Sequence, residues 1–131
     1  MEKMTAIKAA VRWWSDLLTG ETPWGFSLEF QQNVHTIPDN KLICFRDALT
    51  KIISGKLDVA EWDESRPNWC SASRCISTDY QYLYDACEVC GITPLVIPDK
   101  IYMWIDPDGV KVAGYQTERM DIPHQYYDYD E

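Results

Sequence analysis

Four of the five cysteines in this 131-residue chain, Cys70, Cys75, Cys87 and Cys90, fall in the spacing C-x4-C-x11-C-x2-C. Thiolate is a soft ligand that zinc prefers, and two short-spaced pairs that converge build a closed tetrahedral site. The sequence therefore predicts a structural Zn2+ on these four residues. Cys87 and Cys90 stand three apart and project from one side of a helix, whereas Cys70 and Cys75 precede that helix in an irregular segment. A competing reading makes all four reduced thiols continuing an apolar face, since Tyr80 and Leu83 lead into Cys87 at helical spacing. Redox chemistry is the weakest alternative. A Cys-x-x-Cys pair at the C-terminal end of a helix lacks the positive end of the helix dipole that lowers a thiol pKa.

Other reactive constellations are sparse. His35 and His124 are the only histidines, and both lie far from the cysteines in sequence. A cysteine nucleophile at Cys44 or Cys75 lacks a local partner pattern. The chain has no Walker loop, no dinucleotide fingerprint and no HExxH pair. Asp58, Glu61, Asp63 and Glu64 read as a solvated loop before they read as an acid–base pair. No catalytic residue is assigned, and the reading is of a protein that is not an enzyme.

The elements that must position these groups are a helix at 4–18 with Ile7, Val11, Trp14 and Leu18 on one face, a helix at 39–54 capped by Asp39, and a helix at 79–90 capped by Ser77 or Thr78. Trp13 falls at the edge of the first stripe and is assigned to core packing. Within 21–37, Pro23 and Gly25 mark a turn and FSLEFQQNV is a short helix or an irregular strand, and Cys44 is a small buried hydrophobe within the second helix. Residues 56–76 form a long ordered loop, opened by a short strand at 57–62, of a length that needs something to hold it. Strands follow at 95–98 and 101–105. Asp106-Pro107-Asp108-Gly109 turns the chain back into 110–115 as a hairpin. The fold class is α+β: three helices and a small antiparallel sheet ending in a C-terminal hairpin, stapled by zinc. Residues 1–120 make one domain and 121–131 an acidic, tyrosine-rich tail.

Charge is distributed unevenly. The chain carries a net −9, and residues 1–57 hold seven basic and six acidic side chains while 58–131 hold five and fifteen. Such a surface repels phosphate backbones, so direct nucleic-acid binding is not expected. It attracts basic protein surfaces. Tyr126, Tyr127, Asp128, Tyr129, Asp130 and Glu131 alternate rings with carboxylates and are the expected partner-binding residues. No apolar run is long enough to span a bilayer and the first residues lack a signal-peptide pattern, so the reading is cytoplasmic.

The AIKAAVRWWSDLL helix, the Cys70/Cys75/Cys87/Cys90 set and the acidic second half together resemble phage-encoded anti-CRISPR proteins that inhibit type II Cas9. That resemblance, one of overall profile, implies binding to a Cas9–guide RNA complex, a block on target DNA loading, structural zinc and a host bacterial cytoplasm. The alternatives are a zinc-stabilised phage adaptor for another host protein and a cysteine-dependent enzyme.

Overall fold

The computed structural model describes residues 1–19, 37–93, 100–114 and 117–127. Three helices, α1 (Lys3–Thr19), α2 (Asp39–Asp58) and α3 (Tyr82–Val89), accompany four strands, β1 (Cys75–Ser77), β2 (Tyr102–Asp106), β3 (Gly109–Ala113) and β4 (Met120–Asp121). The sheet runs β1-β2-β3-β4 with every neighbouring pair antiparallel. The α+β expectation holds. The segments expected at 21–36 and the strand expected at 95–98 lie outside the described residues.

The apolar stripe read for the first helix is correct but too narrow. Ala6, Ala9, Ala10, Trp13 and Leu17 are buried as well, because α1 packs on α2, on β2 and β3, and on the short 3-10 turn His124–Tyr126. The alanines keep the backbone close to its neighbours while the two tryptophans fill the space beyond. Trp13 and Trp14 meet edge to face with ring centroids 5.0 Å apart, and both are almost fully buried.

In α2 the buried residues are Leu42, Phe45, Leu49, Ile53 and Leu57, at the three- and four-residue steps of one helical face. Asp39 is the first helical residue rather than the cap. The preceding Pro38 supplies its carbonyl to Lys41 and Leu42 instead. The helix also runs through Gly55 to Asp58, which removes the strand expected at 57–62 because Leu57 is a fully buried helical residue. A Cβ added at Gly55 would meet nothing within 4 Å. Gly55→Ala should therefore raise stability by about 0.5–1 kcal/mol, read as a melting-temperature increase of a few degrees.

The hairpin turn forms as expected, with Asp106 opposite Gly109 across Pro107 and Asp108. Gly109 has φ +139°, which favours glycine, and a Cβ there would sit 3.3 Å from the Tyr127 hydroxyl, a tight contact that Tyr127 would have to yield to. α3 begins at Tyr82 rather than 79. Ser77 and Thr78 do not cap it, since Ser77 ends β1 and the Thr78 hydroxyl accepts the Ile101 N–H at 3.1 Å.

Residues 120–127 are part of the body. β4 pairs with β3, Ile122 is buried and donates its N–H to Val110, and Tyr126 is buried against α1. The boundary expected at 121 therefore falls inside packed structure. The alternation of acids and rings that reads as a solvated tail includes three apolar anchors, Ile122, Tyr126 and Tyr127, that fit gaps left by the hairpin and α1. No helix among the described residues is long and apolar enough to cross a membrane.

Candidate functional site

Strand alternation gives β2 two different faces. Met103 and Ile105 point into the core beneath α1, while Tyr102 and Trp104 are half-exposed on the outer face. Their rings stack at 6.5 Å. The Arg119 guanidinium lies 3.7 Å from the centroid of the Trp104 ring, a close cation–π contact on an exposed surface. Cys75 pairs with Trp104 across the β1–β2 ladder, and the charges of Lys56 and Arg119 both reach its thiol. Lys56 continues the surface, 5.0 Å from the Tyr82 ring and 5.8 Å from the exposed ring of Tyr80. Arg119 thus covers the Tyr102–Trp104 pair on the outer face, and Lys56 sits over the Tyr80–Tyr82 pair.

The loop beside this face is gathered around one arginine, with further ties from Trp62 and Glu64 to Met1. Arg74, fully buried, donates Nε to the Ile105 carbonyl, Nη1 to the carbonyls of Glu61 and Trp69, and Nη2 to the Pro67 carbonyl and to Asp106 Oδ1. Asp106, also fully buried, further accepts the Ser71 hydroxyl at 2.8 Å. An ionic pair with five satisfied N–H donors does here what the sequence assigned to a metal. It stabilises a long segment with little periodicity. Within that segment Asp63 has its pKa lowered to about 2, first by the Ser65 hydroxyl and then by Arg66. Asp63 is a turn-closing carboxylate rather than half of an acid–base pair.

The cysteines do not assemble as the spacing suggested. Cys90 is disulfide-bonded to Cys44 across 46 residues, with Cα atoms 5.7 Å apart, tying α3 to α2. Cys44 is accordingly a half-buried bridge partner and not a simple buried hydrophobe. Cys70 is exposed, Cys75 half-exposed and Cys87 buried, and no group of three or more His, Cys, Asp or Glu side chains able to hold a metal occurs among the described residues. Burial pushes the Cys87 thiol up to about 12 and raises the Cys75 thiol as well, so both stay protonated and unreactive at neutral pH. These residues do not fit a zinc ion. Closeness in sequence misleads here because β1 carries Cys75 into the sheet while α3 turns Cys90 toward α2.

The residues expected to bind a partner at the chain's end are also reassigned. The Tyr126 hydroxyl donates to Asp16 Oδ2 at 2.7 Å, and its ring lies against Arg12. The Tyr127 hydroxyl accepts the Val110 N–H at 2.6 Å, and burial raises its pKa. Both tyrosines lock the C-terminal segment to the body. Asp128, Tyr129, Asp130 and Glu131 lie outside the described residues. His124 is exposed, 6.2 Å from the Tyr127 ring, and His35 lies outside the described residues.

A model of the BTG family matches residues 6–122, from the first turn of α1 through β4 to Ile122. The chain belongs to the BTG family. The fold agrees. The BTG/Tob domain of C. elegans FOG-3, in a doubly substituted form, superposes with a TM-score of 0.70 at 17% identity, over 98% of this chain and 88% of that one. No curated protein sequence matches. The anti-CRISPR resemblance is thereby overturned, together with the Cas9 and phage-adaptor readings. It rested on acidity, aromatic content and clustered cysteines, and none of these fixes a fold. BTG domains bind protein partners, so the coarser expectation of a protein partner stands and the Cas9–guide RNA complex does not.

The outer-face site escaped sequence reading because its members come from four separate segments. A signal was nonetheless present. In the run IYMWI, alternation leaves Tyr102 and Trp104 on the face away from Met103 and Ile105, so two aromatics were bound to share the side opposite the core.

Proposed function

We propose that this BTG domain is a binding module without a reaction of its own, and that it engages a protein partner through the outer face of the sheet around Trp104. The observation that supports this reading is the half-exposed Tyr102–Trp104 stack with Arg119 set on it at 3.7 Å. Trp, Tyr and Arg dominate the energetic centres of protein interfaces, because each presents large, stiff area together with a polar edge. On this surface the rings are already ordered by the β-ladder and by their cations, so little side-chain freedom is lost on association. A core-facing role does not account for them, since neither ring contributes to the interior that Met103 and Ile105 fill.

Trp104→Ala should weaken partner binding by about thirtyfold, corresponding to ~2 kcal/mol for a central aromatic anchor, with circular dichroism unchanged. The measurement is quantitative recovery of partners from a lysate of the source organism by wild-type and variant domains in parallel. Partners recovered equally by both would place the interface elsewhere on the domain.

A further inference from the structure

The groove between α1 and α2 has the opposite sign of charge to the chain that contains it. About 400 Å3 in volume, it is lined by Lys8 and Arg12 from α1 and by Arg46 and Lys51 from α2, with Asp47 the single carboxylate among its lining residues. Four cations gather there in a protein whose net charge is −9. The same wall presents Ile43, which departs from the buried stripe of α2 and is 55% exposed. Arg46 Nε is buried without a hydrogen-bond partner, so its guanidinium is held in the wall with donor capacity unspent. Lys8 and Arg12 stand one helical turn apart, the same spacing at which an acidic helix repeats its carboxylates.

We propose that this groove binds an acidic peptide segment of a partner protein, with carboxylates on Lys8, Arg46 and Lys51 and an apolar side chain against Ile43. Charge complementarity selects the sign of the ligand. Ile43 and the lone carboxylate select its class. A polynucleotide presents charge along its whole length and would meet the repulsion of the acidic remainder of the chain. A short acidic segment confines its charge to the groove, within a Debye length of about 8 Å at physiological salt. The site is separate from the outer face around Trp104 and draws on none of its residues.

The test is fluorescence anisotropy with a fluorescein-labelled peptide in which glutamate alternates with leucine, titrated with the full chain at low and at physiological salt. The expected result is saturable binding, absent for the glutamine counterpart, weakened at least tenfold by Lys8→Glu with Lys51→Glu, and weakened severalfold by Ile43→Ser. Lys8, Lys51 and Ile43 are exposed, so circular dichroism of these variants should match the parent. Absence of binding, or binding indifferent to the two charge reversals, overturns the proposal. Equal affinity for oligouridylate overturns it too, since the groove would then read charge alone. Binding that emerges only after Asp128→Asn, Asp130→Asn and Glu131→Gln would mean that the chain's own acidic end fills the groove, and this also excludes a partner peptide.

Discussion

Replacing Arg74 with alanine is expected to destabilise the domain by about 3–5 kcal/mol, a large part of the 5–15 kcal/mol that holds a typical domain folded. The reason is what stays behind. Asp106 is fully buried, and its remaining cation is Lys111, 3.6 Å away from the other carboxylate oxygen. Without the guanidinium it becomes a buried charge with one hydroxyl donor, from Ser71. Four backbone carbonyls, those of Glu61, Pro67, Trp69 and Ile105, lose their donor in the same step. Arg74→Lys should recover little, because an ammonium offers three donors from one point whereas this site uses five from a planar fork. Urea denaturation of both variants measures the loss. A double-mutant cycle with Asp106→Ala should show strong coupling, the pair costing clearly less than the sum of its single changes. A loss below about 1 kcal/mol for Arg74→Ala, the scale of a surface ion pair, would mean that water reaches the pair and that the 59–74 segment is held by other contacts.

Trp14→Ala should cost a similar amount, about 3–5 kcal/mol, through a different mechanism. Trp14 is 1% exposed and joins α1 to β2. It is a core residue of α1, it packs edge to face on Trp13, and its indole N–H donates to the Met103 sulfur at 3.2 Å. Truncation leaves a cavity that α1 cannot close, because Ala6, Ala9 and Ala10 already bring its backbone close to its neighbours. Trp14→Phe keeps much of the ring area and should cost less than half as much. Met103 lies between Tyr102 and Trp104 on the same strand, so the cavity sits directly beneath the outer face. Thermal melts give the stability loss. Partner binding by the folded fraction should fall for Trp14→Ala and hold for Trp14→Phe, a split that separates support of the surface from membership in it.

Much of the architecture could be read from residue order. Helical periodicity located α1 and α2, strand alternation with an Asp-Pro-Asp-Gly turn located the β2–β3 hairpin, and these local signals survive because each element must bury one face whatever its neighbours are. The limits lie where local signals compete. Gly55 does not end α2, since Leu57 is worth more buried in a continuing helix than glycine costs. The Tyr-Asp alternation near the C-terminus hides anchors because solvated and packed tyrosines look alike in composition.

Sequence by itself determined the α+β class, the two long helices, the hairpin, the excess of negative charge and the core placement of Trp13. Those are properties of neighbouring residues, set by periods of 3.6 and 2 and by turn chemistry. Only the tertiary structure decided that Cys90 joins Cys44, that Arg74 pairs with Asp106 within the long loop's core, and that Arg119 lies on the Trp104 ring. Each of these contacts joins residues 15 to 46 positions apart. A contact of that kind depends on the path of the intervening chain through space, and no spacing along the sequence records that path.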